Sequence, residues 1–338
     1  MKRLFAPLFA ALTLLFACTA EEKTELTVTG DAWEVTEYSA KLSGYANLPL
    51  EMGSAEFGII YDKKQSFEEG KKILASVLDA QNMFTLTVSG LEAGTTYYYK
   101  SYVQNGAVEK YGAVKSFVTK ESQCPEGAVD LGIVMTRGDG STYKLYWAAC
   151  NIGAAEPEDY GNYYAWGETT PKPEYKWTNY IFCTSGDIYE NVKLSKYNTS
   201  SSNGKVDGIT QLQRGEKPDE TNDDVARERF GGKWRIPTDE EWTKLRTTCT
   251  WAYTTQKGVY GYKVSASNGN GNSIFLPAAG YRYEAVSYRV NIDGHYWSSS
   301  LDAEHPALAR NIVFIGQGKA NKNEATRCNG LSVRPVSE

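Results

Sequence analysis

The chain is poor in the residues that metal and nucleophile chemistry use most. It holds only two histidines, His295 and His305, and no pair of cysteines stands in a CxxC spacing. A zinc site of the usual Cys/His kind is therefore not expected. No run of lysine or arginine occurs, and the formal charge is −5. An acidic chain without a basic patch argues against nucleic acid and against anionic lipid as partners.

What is present begins with a sorting signal. Lys2-Arg3 supplies a short positive start, and Leu4 to Phe16 is almost wholly apolar. That run is too short to span a bilayer as a mature helix, so it reads as the core of a secretion signal. It closes in Leu15-Phe16-Ala17-Cys18, which resembles the lipobox of bacterial lipoproteins. The resemblance implies a signal peptide over 1–17, a diacylglycerol on Cys18, and a tether over 18–23. Glu21-Glu22 resembles the surface-export signal of Bacteroidota lipoproteins. The expected location is the outer membrane, lipid-anchored and facing outward. Loss of Lys2 and Arg3 would take the formal charge from −5 to −7. Five cysteines would remain: Cys124, Cys150, Cys183, Cys249 and Cys328. An oxidising compartment permits disulfides, and an odd count leaves at least one thiol unpaired or linked to another chain.

Residues 24–120 read as all-β. Alternating runs occur at Leu26–Val28, Ala40–Tyr45, Glu56–Tyr61, Phe84–Val88, Tyr97–Val103 and Val114–Val118, punctuated by Gly, Asn and Asp. That pattern predicts a sheet sandwich. Leu91 to Tyr97, LEAGTTY, resembles the L-x-P-G-T-x-Y segment of fibronectin type III domains, with Ala93 where the family prefers proline. The resemblance implies a buried Tyr97 at a strand corner, and alternation then sends Tyr98 and Tyr102 outward.

Residues 121–127, polar and broken by Pro125 and Gly127, read as a short semi-rigid linker. The second domain, 128–338, predicts an α+β fold with many ordered loops. Its strand-like pieces are Val129–Val134, Tyr143–Trp147, Ile274–Leu276, Tyr296–Trp297, Asn311–Phe314 and Leu331–Val336. Two helices are expected, one from Asp223 to Phe230 and one running to about Thr247.

The second helix starts inside KWRIPTDEEW, Lys233 to Trp242, where three carboxylates invite an acid/base reading. Thr238 followed three residues later by Glu241 is a capping box. Asp239, Glu240 and Glu241 then fill a first turn whose dipole favours negative charge. Pro237 and Trp242 fit a hydrophobic staple, so the cluster reads as helix-start chemistry and Trp242 as core.

The same stretch resembles a segment of the formylglycine-generating and sulfatase-modifying group. More closely, the whole domain resembles the Fibrobacter succinogenes major paralogous domain of Bacteroidota surface lipoproteins. The matching pieces run in order from AVDLG (Ala128–Gly132) and WAACNIGA (Trp147–Ala154) through GNYYAWGET (Gly161–Thr169) and FGGKWRIPTDEEW (Phe230–Trp242). LPAAGYR (Leu276–Arg282), YWSSS (Tyr296–Ser300) and GLSVRPV (Gly330–Val336) complete them. The resemblance implies a C-type-lectin-like fold with first and last strands paired, and no established common activity. The copper-binding cysteine pair of the formylglycine relatives is reduced here to Cys328 alone. Ser298-Ser299-Ser300 near His295 lacks an orienting third group and an oxyanion motif. No cofactor is expected.

Three further features remain. Asp219, Asp223 and Asp224 are weak calcium candidates, against which stands the capping of the following helix by Asp223 or Asp224. Arg137-Gly138-Asp139 spells an integrin tripeptide at a predicted hairpin tip, where Gly-Asp-Gly is ordinary turn chemistry. Tyr160, Tyr163, Tyr175, Trp177 and Tyr180 crowd one loop region and are the candidate ligand-binding residues, since aromatic platforms stack on sugars and anchor interfaces. The expected function is non-enzymatic adhesion or ligand binding, to a glycan or a surface protein, through loops of the second domain. The alternatives are a structural or accessory subunit of a surface assembly and an enzyme related to the formylglycine group.

Overall fold

The structure, a computed structural model, describes residues 25–48, 55–106 and 108–338. The lipidation candidate Cys18 lies outside the described residues. Strand accounts for 44% and helix for 7% of the described residues. The chain divides into two compact units, the first running to Thr119 and the second from Lys120 to Glu338. Two short stretches, Thr36–Ser39 and Ser89–Gly94, group with the second unit. Among the described residues no helix is long and apolar enough to cross a membrane.

The first unit is a β-sandwich. One sheet takes β1 (Thr27–Trp33), β2 (Ser39–Ala46) and β5 (Met83–Ser89), in the order β1-β2-β5. The other takes β3 (Glu56–Asp62), β4 (Lys71–Leu74), β6 (Thr96–Asn105) and β7 (Val108–Tyr111), in the order β4-β3-β6-β7. A last strand, β8 (Lys115–Val118), also pairs with β6. Strict alternation in β2 turns Ala40, Leu42 and Ala46 inward, and Ile59, Phe84 and Val88 are buried as well. Buried hydroxyls cross between the sheets: Thr27 of β1 donates to the Ser101 hydroxyl of β6 at 2.8 Å. Tyr99 of β6 donates to the Gly30 carbonyl of β1 at 2.9 Å.

Tyr97 is buried and stacks on Phe117 at 5.8 Å between ring centroids. Tyr102 does not point into solvent as its alternation with Tyr98 predicts; it is 1% exposed. Its partner across the ladder is Gly58, a residue with no side chain on that face. The Lys72 ammonium then covers the ring at 4.8 Å from its centroid.

The second unit opens on the hairpin of β9 (Ala128–Thr136) and β10 (Thr142–Ala148). A two-residue strand, β11 (Tyr163–Tyr164), and the hairpin of β12 (Cys183–Ser185) and β13 (Lys193–Leu194) interrupt a long run of ordered loop. Two helices follow, α1 (Val225–Phe230) and α2 (Asp239–Thr248). The chain then forms the meander of β14 (Thr250–Gln256), β15 (Val259–Ser265) and β16 (Ser273–Pro277). After the small hairpin of β17 (Tyr281–Tyr283) and β18 (Val286–Tyr288) come β19 (Asp293–Leu301), β20 (Leu308–Ile315) and β21 (Asn321–Thr326). The final strands are β22 (Leu331–Ser332) and β23 (Val336–Ser337). A five-stranded sheet runs β11-β22-β19-β20-β21, and a three-stranded one runs β23-β10-β9. The first and last strands of this unit therefore share a sheet but do not pair directly, because β10 lies between them.

Both helix starts are capped. Asp224 accepts from the amides of Ala226 and Arg227 and also from that of Ile236, at 2.9, 3.2 and 2.9 Å. Thr238 accepts from the Glu241 amide at 3.2 Å, and the Glu241 carboxylate accepts from the Thr238 amide at 2.8 Å. Glu241 does more than close this box. It is fully buried, holds the Arg235 guanidinium through both oxygens, and accepts from the Tyr143 hydroxyl at 2.9 Å. Burial alone would raise its carboxyl, but the bonds and charge of Arg235, with Thr238 and Tyr143, outweigh it and hold Glu241 below the usual carboxylate range.

Candidate functional site

The aromatic loop proposed from sequence is core. Tyr175, Trp177 and Tyr180 are buried, while Tyr160 and Tyr163 are half-buried. Tyr175 donates to the Tyr163 carbonyl at 2.6 Å and Tyr180 to the Trp166 carbonyl at 2.7 Å. The Tyr180 ring, with those of Trp166, Phe182 and Tyr197, closes around Arg327, which is 0% exposed. Its guanidinium lies 4.9 Å from the Trp166 ring, 5.3 Å from Tyr180 and 5.6 Å from Tyr197. It donates to the Tyr180 hydroxyl and to the carbonyls of Lys196, Tyr197 and Pro306. The physical reason is the scarcity of helix: a loop-rich unit fills its interior with large rings whose polar tips satisfy loop carbonyls. These residues build the fold and offer no open platform.

The other candidates also have structural partners. Asp223 accepts from Lys196, Tyr197 and Thr221, and Asp224 caps α1 from a fully buried position, while Asp219 is exposed. Among the described residues no group of three or more His, Cys, Asp or Glu side chains is placed to hold a metal. Ser299 and Ser300 bond to Gln211, and Ser298 accepts from the Ser300 amide. Arg137 of the tripeptide pairs with Glu338 and lies over the Tyr143 ring at 4.2 Å, so its guanidinium is turned back onto the unit. The five described cysteines carry free thiols.

An open aromatic cleft forms elsewhere, where the meander meets the end of α2. Lys257 and Gly258, at φ 46° and 86°, make the two-residue turn between β14 and β15. The resulting register sets Tyr253 opposite Tyr262, with Trp251 and Tyr260 at the diagonals of the same face. The rings form a continuous row: Trp251 to Tyr262 at 5.6 Å, Tyr262 to Tyr253 at 5.3 Å, Tyr253 to Tyr260 at 5.8 Å. Tyr262 is buried at the base, packed on Phe314 and donating to the Gln317 and Gly318 carbonyls at 2.9 and 3.0 Å. Trp251 and Tyr253 are half-buried and Tyr260 is exposed.

Trp251, Tyr253 and Tyr262 line a cavity of about 590 Å³, together with Arg246, Cys249, Gln317, Lys319 and Ala320. Trp251 donates to the Leu245 carbonyl at 3.3 Å, which ties its ring to the last turn of α2. Burial pushes the Cys249 thiol up to about 11, so it is a protonated, inert part of the wall at neutral pH. Desolvation likewise raises the Tyr253 hydroxyl. The lining therefore offers apolar ring faces with a few polar groups at the rim, and no activated nucleophile.

This hairpin was readable in TWAYTTQKGVYGYKV, where aromatics at every second position flank a Lys-Gly turn. It contains no chemistry-bearing cluster, so its alternation is the one signal it carries.

No family model matches the chain, and no curated protein matches it. The family resemblances drawn from sequence thus remain expectations. Among solved structures, the sensor domain (short form) of the anti-sigma factor RsgI4 in Pseudobacteroides cellulosolvens is 22% identical, covering 28% of this chain and 94% of that one, at a TM-score of 0.25. A fibronectin type III domain from human KIAA0970 protein is 12% identical, covering 30% of this chain and 77% of that one, at a TM-score of 0.22. Neither likeness reaches a third of this chain, and the reading of the cleft rests on its geometry.

Proposed function

We propose that this chain is a non-enzymatic surface lipoprotein that binds saccharide through the aromatic cleft of its second unit. In this reading Cys18 carries the anchor in a bacterial outer membrane. The first unit is a fibronectin type III-like spacer. The second is a C-type-lectin-like head of the Fibrobacter succinogenes major paralogous type. The observation that carries the proposal is the row Trp251–Tyr262–Tyr253–Tyr260 beside an open cavity of about 590 Å³. Ring faces of this kind cover the apolar faces of sugar rings, while rim donors and acceptors select hydroxyl patterns.

The test is binding of the full chain to an array of oligosaccharides, compared with Trp251→Ala and Tyr253→Ala. Each variant should keep the wild-type circular dichroism spectrum and lose about tenfold or more in affinity, as expected for a central aromatic anchor. Unchanged capture by both variants would remove the cleft from consideration.

A further inference from the structure

The charge of the cleft carries the reading one step further, and this step rests on the saccharide proposal. The chain is acidic overall, with 41 Asp and Glu against 36 Lys and Arg. The cleft departs from that background: it is lined by Arg246 and Lys319, and none of its lining residues is acidic. Among the described residues neither cation enters an ion pair, whereas Arg235, Arg289 and Arg310 in the same unit each hold a carboxylate.

Arg246 stands in the last turn of α2, where a cation is favoured by the helix dipole. The dipole accounts for a positive charge there but not for the state of the side chain. Its Nε–H is buried and has no hydrogen-bond partner. A buried donor left unmade is costly, and in native structures such groups call for a reason. A guanidinium is also the group best suited to a planar, bidentate acceptor. With Nε enclosed by the protein, the remaining edge of the guanidinium is what the cleft presents, and a ligand carboxylate would pair with it while the ligand's ring covers Trp251 or Tyr253.

We infer that the saccharide bound here is anionic and carries a carboxylate, as in a uronic acid or a sialic acid, recognised jointly by Arg246, Lys319 and the aromatic row. On a chain of net negative charge, a cationic cleft also biases the encounter with an anionic polymer.

Titration calorimetry of the full chain with two matched pairs tests this. One pair is oligogalacturonate and its methyl ester; the other is sialyllactose and lactose. Arg246→Gln and Lys319→Gln, the latter an exposed side chain whose loss leaves packing intact, are measured alongside. The expected result is that at least one carboxylated probe binds about tenfold or more tightly than its neutral counterpart, in line with a charge-assisted bond. Which pair shows the preference identifies the source of the carboxylate. Both variants should shrink the ratio of affinities within the pair, the carboxylated member losing several-fold more than the neutral one. Equal binding within both pairs, or a preference untouched by both variants, overturns the carboxylate inference while the saccharide reading stands. No binding to any of the four probes or to the array overturns both.

Discussion

Arg235→Ala is expected to destabilise the second unit by roughly 3–5 kcal/mol, the cost of leaving a buried charge without its partner. The guanidinium and the Glu241 carboxylate face each other from inside the fold, with side chains 7% and 1% exposed. Removing Arg235 strands Glu241 and also frees Glu338, which accepts from the same guanidinium at 3.1 Å. Tryptophan fluorescence in a urea titration measures the effect. Seven of the eight tryptophans lie in the second unit, so its transition dominates the signal. A shift of under about 1 kcal/mol would show that the pair is solvated in solution. The double variant Arg235→Met with Glu241→Gln should recover much of the loss. It removes both charges together, and glutamine can still close the capping box.

The same pair gives the unit an acid-sensitive stability. The folded pKa of Glu241 lies below its ordinary value of 4.5. Its contribution is therefore complete above that value and is lost as pH falls through the depressed folded pKa. Stability measured from pH 6 downward should fall below about pH 4.5, and Glu241→Gln should remove part of that slope.

Arg327→Ala is the second large effect, expected to cost about 3–5 kcal/mol from the void and the unpaired carbonyls together. The side chain sits among Trp166, Tyr180, Phe182 and Tyr197 and satisfies loop carbonyls from two separate segments. Because these loops have few ladder bonds of their own, the variant should also lose much of the near-ultraviolet dichroism of the packed rings. Arg327→Lys should rescue little, since one ammonium cannot reach four acceptors in a fixed plane. A variant with wild-type dichroism and midpoint would show that the rings alone hold the loops.

What the sequence made legible follows from range. The capping box at Thr238 and Glu241 depends on residues three apart and could be read directly, as could the inward alternation of β2. The bond from Arg235 to Glu241 could not, because it bends the chain before Pro237 back onto the helix it introduces. Tyr102 defeats simple alternation because Lys72, from a strand thirty residues earlier, covers its outward-facing ring. The aromatic run from Tyr160 to Tyr180 looked like a platform because density of rings is the same signal for a binding face and for a core. Only the buried Arg327 decides between them, and it arrives more than a hundred residues later. The cleft was the reverse case: its rings were plain in the text, but their register needed the Lys257-Gly258 turn to bring them to one face.

The account turns on where a bound sugar sits, and the side-chain indole resonances of the full chain report this directly. Titration with the tightest saccharide from the array should move the Trp251 indole signal and leave those of Trp166, Trp177 and Trp297 in place. Movement at Trp177 with Trp251 unchanged would contradict the account and return the site to the loop that the structure assigns to the core.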